Sequence, residues 1–183
     1  PSRVLVILDE AYFEYAQNVD DYPDSMQYRF DNVITLRTFS KSYGLAGFRV
    51  GYGFAHHTLI ENLMKVKLPF EPSIPAQEAA IASIDDINHV NDTLETNKIG
   101  MDYLSKQLQL LNIKYIESVA NFITIIFENN KKASMFVSLM LADGIILRAL
   151  NSFGLPHCVR ISIGKINENK IFINKLKKII KKI

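Results

Sequence analysis

Cysteine is almost absent from this 183-residue chain: Cys158 stands alone, so no disulfide can form within it. A fold held by covalent staples is excluded, and a reducing, cytoplasmic setting is the expectation. Long apolar runs are missing too. The longest, such as Ile123 to Phe127, fall far short of the roughly 20 residues a bilayer span requires, so a soluble protein without membrane association is expected. Nor does the start of the chain have the composition of a signal or transit peptide. Charge of one sign is also lacking. Lys and Arg number 21 against 19 Asp and Glu, a formal +2, and so even a balance names no partner. His56 and His57 are adjacent while His89 and His157 are isolated, a spacing that suggests no metal site. There is no internal repeat. Finally, no methionine opens the chain, and Pro1 is followed almost at once by a strand-like run; a processed, truncated or excised piece of a longer protein is expected.

What is present supports a real core, with 48% hydrophobic residues. Val4 to Leu8 is a continuous apolar run ended by Asp9, the pattern of a parallel strand covered on both faces. Val33 to Leu36 reads as a second strand, closing on Thr38-Phe39-Ser40-Lys41. Phe48 to Phe54 has the aromatic and β-branched content of a third. A helix is expected from His56 through Val66. Pro69, Pro72 and Pro75 then force an extended connector, and Ala76 to Ile84 is rich in helix formers.

From about His89 the character changes to a long helix reaching Leu111. Beyond it the spacing predicts a strand over Phe122 to Phe127, a helix over Lys131 to Ala142, strands over Ile145 to Leu147 and Val159 to Ile163, and a terminal helix from Asn167. This alternation defines an α/β chain, with a domain boundary expected near residue 89. Lys170, Lys175, Lys177, Lys178, Lys181 and Lys182 crowd the last helix, but Phe172, Leu176, Ile179, Ile180 and Ile183 form an apolar stripe beside them. A surface helix with a solvated basic face is expected, not a nucleic-acid site.

Chemistry concentrates in two places. Thr38-Phe39-Ser40-Lys41-Ser42-Tyr43-Gly44-Leu45-Ala46-Gly47-Phe48-Arg49 puts a lysine after two hydroxyl residues at a strand end, with an arginine eight positions on. A lysine amine can form a Schiff base with a carbonyl cofactor, and hydroxyls with a guanidinium can hold a phosphate dianion. Lysine, serine and glycine are common, and the same group can arise in an ordinary loop. The second place is Asp9-Glu10-Ala11-Tyr12 at the end of the first strand, where open α/β sheets bind ligands. Asp9 can pair with a protonated ring nitrogen, or simply cap the turn that follows.

The spacing of Asp-x-x-Tyr, then Ser-Lys, then the arginine resembles the aspartate-aminotransferase-like pyridoxal-phosphate enzymes, and the wording around it is similar to the histidinol-phosphate aminotransferases. The resemblance runs through most of the chain. It implies the latter part of a large cofactor-binding domain of fold type I, with three α/β/α layers, over 1–88, and a small C-terminal α/β domain over 89–183. It implies pyridoxal 5'-phosphate as cofactor, with Asp9 at the pyridine nitrogen, Tyr12 at the ring oxygen and Lys41 as the catalytic Schiff-base lysine. Thr38, Ser40 and Arg49 would surround the phosphate. Gly144-Ile145-Ile146-Leu147-Arg148 and Gly154 to Gly164 resemble the family's substrate-binding strands. Arg160 matches the arginine that grips the substrate's anionic end, and Arg148 a second arginine near it.

The implied activity is amino-group transfer between histidinol phosphate and 2-oxoglutarate, in a homodimer with shared active sites. Other transaminases, and a phosphothreonine decarboxylase, share the scaffold; a non-catalytic remnant is the alternative outside that chemistry. Two departures bear on this. Glu71 and Pro72 stand where the family usually has an asparagine and an aliphatic residue. The family's glycine-rich phosphate cup, its ring-stacking residue and an asparagine beside Asp9 would all lie upstream of Pro1, so the isolated chain is expected to be incomplete as an enzyme.

Overall fold

In the computed structural model, which describes residues 1, 3–28 and 30–183, the chain forms a three-stranded sheet and then a four-stranded one. β1 (Val6–Asp9) lies parallel to β2 (Val33–Thr38), with Val6 opposite Val33 and Asp9 opposite Leu36. The intervening residues cross back through the single-turn helix α1 (Phe13–Ala16) and a 3-10 turn at Ser25–Gln27, as a parallel pair requires. β3 (Gly51–Ala55) runs antiparallel to β2, pairing Thr38 with Gly51. The sheet is therefore mixed.

β1 is the edge strand of this sheet among the described residues, and within them Val4, Leu5, Val6 and Ile7 of the apolar run are exposed, Ile7 to 59%. One expectation for this region is corrected, the start of the third strand. It begins later than its composition predicts: Ala46–Phe48 is a 3-10 turn and Arg49 takes a left-handed conformation with φ of 53°, which breaks the extended path before Gly51.

α2 (His57–Val66) and α3 (Ile74–Asp85) follow. The side chain of Ser73 caps α3, and Pro75 sits in its first turn, where a missing N–H costs nothing. The helix therefore starts before Pro75 instead of after it. Ala76 and Ala80 present a small-residue face that packs on Phe39 and Val50, with Tyr43, Leu45 and Tyr52 around them. Phe39 lies 5.1 Å from the ring of Tyr43 and 5.2 Å from that of Tyr52. This small core sits directly under the segment that carries Lys41.

The described residues divide into two compact units, Pro1–Thr93 and Leu94–Ile183, and the 24-residue helix α4 (Ile87–Leu110) belongs partly to each. In the second unit, β4 (Tyr115–Ile116), β5 (Phe122–Ile126), β6 (Arg148–Ala149) and β7 (Cys158–Ser162) form an antiparallel sheet in the order β4-β5-β7-β6. α5 (Asn130–Ala142) and α6 (Ile166–Ile179) cover it. Leu104, Leu108, Ile123, Ile125, Phe136, Met140, Val159 and Leu176 are wholly inaccessible. Each such side chain stabilises the unit by about 1.5–3 kcal/mol through burial. Cys158 joins this interior at 2% exposure, and burial pushes its thiol pKa up. The strand expected at Ile145 to Leu147 is displaced to Arg148–Ala149. Gly144, at φ of 81°, ends α5 with its N–H on Leu141 O, while Ile145 N–H returns to Met140 O; this helix-closing pair of bonds holds Ile145 out of the sheet.

Candidate active site

The carboxyl end of β1 and the end of β2 lie side by side because the strands are parallel and in register. A cleft of about 290 Å³ opens there, lined by Asp9, Ala11, Leu36, Arg37, Thr38, Ser40, Lys41 and Arg49. Five of the six residues expected around the cofactor thus line one surface. The sixth, Tyr12, places its ring centroid 5.2 Å from Lys41 Nζ. Asp9 Oδ1 accepts the Ala11 N–H at 3.1 Å, so the carboxylate does cap its turn; that bond also fixes its orientation and occupies one oxygen only. Thr38 Oγ1 likewise accepts the Ser40 N–H at 3.1 Å. Two bonds close the lysine turn, Gly44 N–H to Lys41 O at 3.0 Å and Leu45 N–H to Phe39 O at 2.9 Å. Arg49 reaches back to Ala46 O at 2.8 Å from its left-handed backbone, a conformation that costs a non-glycine residue roughly 1–3 kcal/mol and concentrates at functional sites.

The residues behind this cleft carry signals that sequence spacing did not reveal. Glu10, 7% exposed, takes Arg37 Nε at 2.9 Å and the Ser25 N–H at 3.1 Å. Arg37 Nη2 bridges Glu10 and Asp24 at 2.9 and 3.0 Å, with its guanidinium 3.4 Å from the Phe13 ring centroid. Burial opposes the charge on Arg37, but the hydrogen bond and charge of Glu10 outweigh it and raise its pKa. The available clue was a charged residue inside an otherwise strand-like run, which needs a buried partner. Glu14, on α1, is 6% exposed, and its Oε2 makes no hydrogen bond; Ser42, at 1%, leaves its hydroxyl equally unpaired.

In the second unit, Arg148 and Arg160 are direct cross-strand partners on β6 and β7. Directly paired residues share one face, and like charges placed so repel. Neither forms an ion pair among the described residues, and Arg160 Nε is buried without a hydrogen-bond partner while its guanidinium lies 4.9 Å from the Phe122 ring. The Arg148 guanidinium lies 5.7 Å from the Phe153 ring, so each of the two stacks on an aromatic ring. Among the described residues no cluster of His, Cys, Asp and Glu could hold a metal ion, and no helix is long and apolar enough to cross a membrane.

Residues 2–176 match the family model "Aminotransferase class I and II", and the chain belongs to that family. It is 38% identical over 182 residues to histidinol-phosphate aminotransferase 2 of Carboxydothermus hydrogenoformans, covering 98% of this chain and 50% of that protein. The corresponding enzyme of Akkermansia muciniphila is 42% identical over 182 residues, with 98% and 48% covered. Among solved structures, histidinol-phosphate aminotransferase from Sinorhizobium meliloti in complex with pyridoxal-5'-phosphate superposes with a TM-score of 0.90 at 28% identity, covering all of this chain and 50% of that one. The fold is that of the fold-type-I aminotransferases, and the chain spans about half the length of the curated relatives it matches.

Proposed function

We propose that the complete protein is a pyridoxal-phosphate-dependent aminotransferase passing an amino group between L-histidinol phosphate and 2-oxoglutarate, in the cytoplasm and as a homodimer. The observation that carries this reading is the set of residues lining the β1–β2 cleft: the amine of Lys41, the carboxylate of Asp9, the hydroxyls of Thr38 and Ser40 and the guanidinium of Arg49, beside Arg37. That set fits the cofactor's chemistry, offering an amine for an aldehyde, a carboxylate for a ring nitrogen, and hydroxyls with a guanidinium for a phosphate. Pyridoxal phosphate, when bound, supplies a carbonyl that captures amines and a ring that accepts electrons.

The residues then divide the work. Asp9 would hold a proton at the ring nitrogen, and the Tyr12 hydroxyl would orient the ring oxygen. Thr38, Ser40 and Arg49 would bind the phosphate through charge-assisted hydrogen bonds. Lys41 Nζ would hold the cofactor through its aldehyde and would also be the base that carries the proton at the substrate's Cα. In the small domain, read as 89–183, Arg160 and Arg148 would grip the anionic end of the substrate, a carboxylate in one half-reaction and a phosphate ester in the other. Residues 1–88 are read as part of the large domain.

Borohydride reduction of the complete protein with pyridoxal phosphate, followed by peptide mapping, should place a pyridoxyl group on Lys41, and Lys41→Ala should abolish the label. Label on another residue refutes the site. Amino transfer from histidinol phosphate, set against release of carbon dioxide from phosphothreonine, decides between this reading and a decarboxylase. Binding without either turnover would make the protein a non-catalytic relative.

A further inference from the structure

Two buried polar side chains from different elements, one of them within the lysine turn, face a common lack. Glu14 belongs to α1 and Ser42 immediately follows Lys41, and both are more than nine-tenths buried, with Glu14 Oε2 and Ser42 Oγ closing no hydrogen bond of normal geometry. They nevertheless lie near enough for the Ser42 hydroxyl to influence the proton affinity of Glu14. A buried polar atom without a partner is costly, and two of them within reach of one another are most cheaply satisfied as a pair. α1 begins at Phe13, directly after Tyr12, whose ring lies 5.2 Å from Lys41 Nζ. The short helix thus starts beside the lysine amine and carries the buried Glu14 in its first turn.

We propose that Glu14 is a positioning residue that clamps α1 to the lysine turn through a buried carboxyl–hydroxyl contact with Ser42, fixing Tyr12 relative to Lys41. The clamp works with the carboxyl protonated and donating. Desolvation raises the Glu14 pKa, against smaller lowering from its own backbone, Ser42 and Arg37. The charged and titratable groups around it do not offer an ionised Glu14 a dedicated partner. Arg37 is already committed to Glu10 and Asp24, Glu10 repels a second carboxylate, and Tyr22, Tyr43 and Tyr52 each have raised pKa values and stay neutral. This inference rests on the cofactor reading only for what the clamp serves; the contact itself belongs to the cofactor-free protein.

The test compares wild type, Glu14→Gln, Glu14→Ala and Ser42→Ala in the complete protein. With pyridoxal phosphate bound, the pH midpoint of the visible absorbance is read. Glu14→Ala and Ser42→Ala should each move it by about half a unit or more, the double variant no further than either alone, and Glu14→Gln, which keeps a neutral donor of the same shape, should restore the wild-type value. Without cofactor, the thermal midpoint is followed against pH. A carboxyl with a raised folded pKa binds a proton that the unfolded chain has released above its ordinary value near 4.5, so wild-type stability is full below that pH and falls as pH rises through the folded value; Glu14→Gln should remove this slope. An unchanged absorbance midpoint in both Glu14→Ala and Ser42→Ala overturns the proposal, as does additive behaviour or Glu14→Gln resembling Glu14→Ala. Failure of wild type to take up pyridoxal phosphate on Lys41 refutes the cofactor reading instead, and the cofactor-free slope still decides the clamp.

Discussion

Arg37→Ala isolates the brace behind the candidate site. The guanidinium bonds Glu10 at 2.9 Å and Asp24 at 3.0 Å, and stacks on Phe13 at 3.4 Å. Asp24 is exposed enough, at 37%, for its arm to contribute at most about 1 kcal/mol. Glu10, at 7%, is different: removing its cation leaves a buried carboxylate held only by the Ser25 N–H, and breaking such a pair costs about 3 kcal/mol. With a urea slope of roughly 3 kcal/mol per M, the midpoint should fall by about 1 M, read by far-ultraviolet circular dichroism of the complete cofactor-free protein. Adding Glu10→Gln removes the stranded charge, so the double variant should recover about 1–2 kcal/mol of what the single loses. Because Glu10 follows Asp9 and Arg37 precedes Thr38, cofactor affinity should weaken in parallel. A midpoint within ~0.2 M of wild type, or strict additivity with Glu10→Gln, would refute the brace.

Other outcomes follow from the second unit. Phe136→Ala, emptying a wholly buried site beside Phe127, should cost about 3–5 kcal/mol in denaturant unfolding. Gly100→Ala puts a methyl 2.4 Å from Ile163 Cγ2 and 2.7 Å from Asn169 Nδ2, so a loss of about 1–3 kcal/mol is expected; a neutral result would mean α4 can shift freely at this point. Arg160→Lys keeps the charge and gives up the fork, and should raise KM for the phosphorylated substrate about tenfold or more with a smaller change in kcat. If KM is unchanged, the anion is held elsewhere.

The parts of the fold that sequence alone discloses are those set by local rules. The apolar run ending in Asp9, the β-branched run before Thr38, and the periodicities of α4 and α6 all announce their elements. Ser73, just ahead of Pro75, is a helix start that the prolines obscured, because proline breaks an interior turn but suits a first one. The late start of β3 depends on the left-handed Arg49, which no composition signals. The Lys41, Asp9 and Arg49 grouping was legible because the spacing of its residue types resembles a known family; Glu10 with Arg37, and Glu14 with Ser42, were not, because no motif joins those segments and the meaning of each pair comes from burial.

The lone thiol at position 158 has a practical consequence. Buried in β7, two residues before Arg160, it is shielded from alkylating reagents while the second unit stays closed, so its modification rate counts openings of that unit at a single chemical address. Ligands that seat on Arg160 should slow that clock, and those confined to the lysine cleft should leave it running as before.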